Sequence, residues 1–320
     1  MRRKVLLLLN AAAGTGTARG MVFDLVKYLT LGGLEVTAYP ILPENGLTSE
    51  AIIRAKHRDY DVIACCGGDG TLNHVVSSIA SLGLDIPIGY IPSGSTNDFA
   101  RSLGIPADPE ANCRGICGNN IFAYDIGRFN DRYFNYVAAF GAFTRVSYST
   151  GQSIKNVLGY GAYLLNGILS LPESMSMHSH LILEHDGGRE EGEYVFGSIS
   201  NTTSVGGMKS ALIRKASLND GLFEVILISA PDSIRELGEI VTTLTSGSVD
   251  NKYVRVFRTR SLLIKSPDKA AWTLDGEYGG TPEEIHMEVC PARMKILLPE
   301  EVEETMEEQN GQACDKKVLG

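Results

Sequence analysis

The sequence predicts an α/β domain followed by a β domain. Short apolar runs alternate with helical patterns through the first 120 residues, which is the rhythm of a parallel sheet covered by helices on both faces. From about Ile121 strand-like runs follow one another, with Asp186-Gly187-Gly188 and Asn219-Asp220-Gly221 as turn signals between them. At 320 residues the chain also exceeds the ~250 at which one core usually stops growing. Two domains are therefore expected, residues 1–120 and 121–290.

In the first domain the apolar runs predict strands over 5–9, 36–39, 62–65 and 88–91. Helical spacing predicts helices over 21–31, 51–58 and 72–80, and a short helix opening near Thr96. In the second domain strands are expected over 133–139, 181–184, 194–199, 223–228 and 261–264. Helices over 154–171 and 233–244 interrupt them, each with apolar residues at helical spacing that core packing explains and a lipid-facing surface would also explain. The Glu-rich stretch 300–320 predicts a frayed helix and then disorder.

Composition narrows the function. With 29 basic and 38 acidic side chains the net charge is −9, which argues against nucleic acid as the main partner, since neutralising phosphates needs a surplus of Lys and Arg. A mean hydropathy of −0.01 is that of a globular chain. The six cysteines contain no C-x-x-C pair, so reduced thiols in the cytoplasm are the expectation. Arg2 to Ala13 imitates a signal peptide, but its five-residue apolar run is shorter than the ~7–15 of an h-region and predicts a buried strand instead. No apolar stretch approaches the ~18 residues of a membrane span, so contact with a bilayer is expected to be peripheral.

The strongest chemical signal is Gly67-Gly68-Asp69-Gly70-Thr71-Leu72-Asn73, directly after a predicted strand. Glycines let backbone N–H groups approach a phosphate, and a helix begun at Thr71 and Asn73 favours an anion at its start. Asp69 beside a polyphosphate implies an intervening Mg²⁺ ion. The same string also reads as a tight turn with a helix cap. A second loop, Pro92-Ser93-Gly94-Ser95-Thr96-Asn97-Asp98-Phe99-Ala100-Arg101, again follows a strand. Ser95 can bond a phosphate, Asn97 can hold loop or base, and Asp98 brings a second carboxylate to the same sheet edge, although Ser95 and Asp98 also suit helix caps. His178, His180 and His185 carry no supporting cysteine or carboxylate pattern for a metal.

These two loops, with Tyr124-Asp125-Ile126-Gly127 and Leu274-Asp275-Gly276-Glu277-Tyr278-Gly279-Gly280, resemble the diacylglycerol kinase and sphingosine kinase superfamily over nearly the whole chain to about Pro299. The resemblance looks closest to the soluble bacterial diacylglycerol kinases. It implies a phosphofructokinase/NAD kinase-like parallel-sheet domain with an antiparallel β-sandwich, a strand over 291–299 returning to the domain junction, and an active site in the cleft between the two. Asn10, Ala11, Ala12, Ala13 and Gly14, Gly67 to Asn73, Ser95 and Asn97 would meet ATP. Asp69, Asp98 and Asp125 would surround a catalytic Mg²⁺, and Glu277 would be the proton acceptor. A second, structural Mg²⁺ would sit on Asp220 and the main-chain oxygens of Ser217 and Leu222, a segment that also reads as a simple turn. Asn10-Ala11-Ala12-Ala13-Gly14 departs from the family's usual Asn-Pro start.

Glu277 is also legible on chemistry alone, because a lipid hydroxyl is a poor nucleophile that benefits from a carboxylate taking its proton. In isolation it is equally an exposed turn acid. Asp275, two residues away, would share its face by strand alternation and is the substitute base. The expected reaction is ATP with 1,2-diacyl-sn-glycerol giving ADP and phosphatidate, at the inner face of the membrane, with Lys155 near the start of the 154–171 helix as a docking contact. Another lipid acceptor (a sphingoid base, ceramide, monoacylglycerol or polyprenol) is the alternative, ahead of an NAD kinase or a catalytically silent binding protein. A homodimer is a further open expectation.

Overall fold

The computed structural model describes residues 2–10, 17–95, 97–141, 178–201, 204–205, 208–209, 217–246, 251–300 and 302. Ala11 to Gly14, Thr96, the expected helix over 154–171 with Lys155, and the tail after 302 lie outside the described residues. The chain divides into two compact units, Met1–Tyr124 with Met294–Gly320, and Asp125–Arg293.

The first unit runs β1 (Lys4–Leu9), α1 (Thr17–Leu31), β2 (Glu35–Pro40), α2 (Ser49–Lys56), β3 (Val62–Gly67), α3 (Asp69–Ser81), β4 (Ile88–Pro92), α4 (Asp98–Ser102) and α5 (Pro109–Cys117). Every residue of β3 and β4 is buried, as in a parallel strand covered on both faces. All pairs are parallel, in the order β2-β1-β3-β4. Thr48 caps α2 by accepting the Ala51 N–H. The sequence reading passes over α5, although Asp108 accepts the N–H groups of Glu110 and Ala111 and Pro109 starts the first turn.

In the second unit the sheet is antiparallel. After β5 (Ile121–Phe129) come β6 (Arg132–Phe134), β7 (Val137–Gly141), β8 (Ser179–His185), β9 (Gly188–Ser200), the short β10 (Ser204–Val205) and β11 (Met208–Lys209), and β12 (Phe223–Ser229). Then follow α6 (Ile234–Ser246), β13 (Val254–Thr259), β14 (Ser261–Lys265), β15 (Trp272–Leu274), β16 (Glu277–Gly280) and β17 (Glu284–Leu297). Strands pair in the order β16-β15-β7-β9-β8-β14-β17, and β12 joins β9 to β13, a β-sandwich arrangement. Trp272, fully buried, centres the core, with Phe140 and Phe129 at ring distances of 4.8 and 5.5 Å. A second cluster beneath α6 joins Ile240 to Phe196, Ile226, Ile228 and Val254.

Two elements differ from expectation for identifiable reasons. The strand expected over 133–139 is broken into β6 and β7, because the N–H groups of Asn135, Tyr136 and Val137 turn toward the Asp275 carboxylate. The last strand is longer than 291–299, starting at Glu284, and Ile296 and Leu297 pair in parallel with Ile88 and Gly89 of β4.

Candidate functional site

In the first unit β1 is flanked by β2 and β3, so the strand order reverses between β1 and β3, the place where ligands of open α/β sheets collect beyond the carboxyl ends of strands. Three loops meet there. Asn10, just past β1, donates from its main chain to Cys66 O at 3.0 Å and from Nδ2 to Thr71 Oγ1 at 2.8 Å. Ser93, just past β4, donates its N–H to Gly67 O at 2.8 Å.

The glycines have separable reasons. A Cβ on Gly94 would stand 2.5 Å from Gly68 Cα, so these two glycines let the second and third loops touch backbone to backbone. A Cβ on exposed Gly70 would meet nothing within 4 Å, so no atom of the described residues requires glycine there. Ser95 is exposed, whereas Leu72 is fully buried and its N–H is held by Gly68 O. Asn73 is buried and accepts the Ser77 hydroxyl, and Asn97, in the left-handed region at φ 52°, closes its loop by bonding both N–H and C=O of Gly94. Asn97 thus holds the loop.

Asp69 and Asp98 are brought together. Asp69 accepts the N–H of Asp98 on Oδ2 at 3.0 Å and that of Phe99 on Oδ1 at 3.1 Å, so it caps α4 from the neighbouring loop, a role the sequence reading gave to Ser95 and Asp98. Asp98 is buried, and its Oδ1 has no hydrogen-bond partner among the described residues. Burial, and then the charge of Asp69, push its carboxyl up to about 6, with Arg101 opposing. Beneath them the hydroxyl of buried Tyr90 stands 3.5 Å from Asn97 Oδ1, and burial followed by Asp69 raises its pKa. A buried carboxylate with an orphaned oxygen beside a second carboxylate fits a divalent cation.

Asp125 belongs to the second unit and is fully engaged. Its Oδ1 accepts the Ala292 N–H and its Oδ2 the Gly221 N–H, both at 2.7 Å, while its own N–H donates to Leu218 O at 2.8 Å. Asp125 thereby fastens the loop Ser217 to Leu222. In that loop Asp220 Oδ1 accepts the Leu222 N–H at 3.1 Å, an Asx turn, and Oδ2 is paired with the Arg258 guanidinium. Arg258, on β13, also donates from Nε to Glu224 at 3.1 Å, directly across from it on β12. A Mg²⁺ on Asp220 with the carbonyls of Ser217 and Leu222 therefore has to compete with Arg258. Burial pushes the Glu224 carboxyl up to about 7, against the pull of Arg258. Neither Glu224 nor Arg258 was singled out from the sequence, although a glutamate inside the apolar run 223–228 signals a buried charge needing a partner.

Glu277 opens β16, half-buried, and Leu274 faces it across the β15–β16 hairpin. Asp275 and Gly276 form the two-residue turn, with φ of 50° and 85°. The face-sharing expected from strand alternation therefore fails, because a turn and not a strand lies between Asp275 and Glu277. Nor is Asp275 a spare base in its surroundings: it is buried, Oδ1 accepts the N–H groups of Tyr136 and Val137 at 2.9 Å each, and Oδ2 accepts that of Asn135.

A parallel sheet with glycine loops at its switch point, followed in the same chain by an antiparallel β-sandwich with an acidic hairpin, is an architecture suited to taking a phosphorylated ligand at the sheet. Residues 4–129 match the diacylglycerol kinase catalytic domain, and residues 141–298 the YegS C-terminal NAD kinase beta sandwich-like domain. A diacylglycerol kinase of Staphylococcus haemolyticus is 34% identical over 318 residues, covering 97% of this chain and 94% of that protein. One from Staphylococcus aureus is 34% identical over 282 residues, 88% of each. The crystal structure of a diacylglycerol kinase from Bacillus anthracis superposes with a TM-score of 0.71 at 19% identity, over 94% of this chain and 98% of the other. An NAD kinase from Archaeoglobus fulgidus in complex with ATP gives 0.55 at 15% identity, over 96% and 98%. The chain belongs to the diacylglycerol kinase family.

Proposed function

We propose that this protein is an ATP-dependent lipid kinase that phosphorylates the hydroxyl of 1,2-diacyl-sn-glycerol to phosphatidate. The observation that carries this reading is the Asp69–Asp98 pair, one buried carboxylate oxygen without a partner among the described residues, where three loops converge. The names of the staphylococcal relatives supply the acceptor.

Asp98 with Asp69 would hold the Mg²⁺, which when bound neutralises phosphate charge. The chain's own residues do the rest. The main chain around Gly68 to Thr71 and the hydroxyl of Ser95 receive the ATP phosphates, with Asn10 fixing Thr71. Glu277 takes the acceptor proton as the new P–O bond forms, and ADP leaves. The lipid would be reached by peripheral contact with a membrane surface.

The test is turnover of labelled ATP against a panel of lipid acceptors in mixed micelles, with NAD as a soluble control. Phosphatidate formed from diacylglycerol in excess over every other product is the expected result. Preferred labelling of a sphingoid base, ceramide, monoacylglycerol or polyprenol would replace the acceptor, and labelling of NAD alone would overturn the lipid kinase reading.

A further inference from the structure

Asn201 follows β9, is fully buried, and is the junction of two sets of hydrogen bonds in the second unit. Its side-chain Nδ2 donates to the main-chain oxygen of Asp125. Its main-chain N–H donates to Tyr136 O at 2.9 Å. Tyr136 in turn donates its N–H to Asp275, and Asp275 returns its own N–H to Val137 O at 2.8 Å. Asp275 then makes the turn from which Glu277 emerges.

These bonds form one continuous path from Asp125 through the Asn201 amide and main chain to Tyr136, Asp275 and the Glu277 hairpin. Each link fixes a main-chain group, so the path sets where the hairpin stands along β7 and how it is registered against Asp125. The amide is retained despite a cost. Asn201 Oδ1 is buried without a partner among the described residues, which a small apolar side chain at this position would avoid. The donor Nδ2 therefore carries the reason for asparagine, because without it the buried Asp125 carbonyl loses this bond.

We propose that Asn201 is a positioning residue that holds the Glu277 hairpin in register with Asp125, acting on proton transfer through Glu277. This rests on the reading of Glu277 as the base. A misplacement of about 1 Å at a reacting group costs ~10²-fold in rate, so Asn201→Ala should lower kcat for diacylglycerol phosphorylation by ~10–100-fold with KM for ATP changed less than about twofold.

The experiment is a double-mutant cycle of Asn201→Ala with Glu277→Gln, with amide hydrogen exchange on the same proteins. If Asn201 acts through Glu277, adding Asn201→Ala to Glu277→Gln lowers the residual kcat by less than about twofold. Equal fold losses in both backgrounds, or a KM for ATP that rises in step with the fall in kcat, would overturn the proposal. Near-normal turnover by Glu277→Gln alone would instead sink the base assignment, a separate outcome read from the single variant. Should Asn201→Ala fail to fold, Asn201→Ser replaces it, read by exchange. Amides of 135–137 and 274–277 should exchange at least ~10-fold faster while those of 223–229 keep their protection. Unchanged exchange at 135–137 and 274–277 would likewise overturn it.

Discussion

Asp69 holds the main-chain N–H of Asp98 at 3.0 Å, so the aspartate of one loop anchors the helix that carries the aspartate of the next. The two carboxylates are consequently unequal: one is tied by main-chain donors, the other is buried with one oxygen unpartnered among the described residues.

This inequality separates two variants that should look alike in an activity assay. Asp69→Asn and Asp98→Asn should each lose most of kcat, on the order of the 2.7–4 kcal/mol seen for single electrostatic groups. Asp69→Asn replaces an acceptor with a donor against the α4 N–H groups and should also melt lower, by about 1 kcal/mol of stability. Differential scanning fluorimetry on the metal-free proteins reads this, and wild-type melting in Asp69→Asn would remove its capping role.

Asp98 also sets a pH dependence. Its folded carboxyl titrates at about 6 against an ordinary 3.8, so the folded protein binds the proton more tightly than the unfolded chain. Its burden on stability is absent below the ordinary value, grows as pH rises between the two and is complete above about 6. Without metal, Asp98→Asn should therefore melt a few °C above wild type at about pH 8, and the gap should close toward about pH 4. A constant gap across that range would exclude Asp98 as its source.

Glu277 and Asp275 should part company. Glu277→Gln keeps the hairpin and loses ~10²–10⁴-fold in lipid phosphorylation. Asp275→Asn loses a charge-assisted acceptor for three main-chain N–H groups, and should unfold more easily by roughly 1.5–3 kcal/mol in a denaturant titration. An Asp275→Asn protein of full stability but no activity would make Asp275 the base.

Arg258→Gln leaves Glu224, 3% exposed in its side chain, without its counterion; because that carboxyl already titrates at about 7, the loss of stability in the absence of metal should be small below that pH and grow above it, which thermal melts across pH would read. It also frees Asp220, so Mg²⁺ should raise the melting temperature of the variant more than that of wild type. An equal rise in both proteins would show that Arg258 and Mg²⁺ do not contend for Asp220.

The alternation of buried strands and helices was readable in the first unit because fully buried parallel strands leave continuous apolar runs such as 62–65. In the antiparallel unit strand 223–228 was legible as a nearly continuous buried run and 261–264 from its apolar residues, whereas Tyr133 to Ala139 was misread as one strand because its interruption is made by Asp275, roughly 140 positions away, and no local pattern encodes such a bond. The loops bearing Asp69, Asp98 and Glu277 were visible as glycine-rich strings. What those strings could not convey was partnership: that Asp69 caps a helix in the next loop, that Asp220 has Arg258 beside it, and that Asp275 is a turn residue with a left-handed backbone.

The strand Glu284–Leu297 has a consequence for how the chain is made. Its final residues supply the neighbour of β4, so Ile88 waits for Ile296, roughly 200 residues later, which is a contact of very high sequence separation and slow to form. During synthesis β4 emerges with one edge bare, and that edge stays a template for wrong pairing until Ile296 and Leu297 have left the ribosome. Nascent chains cut short before Met294 should be captured by chaperones or aggregate, however well their first 124 residues are able to collapse.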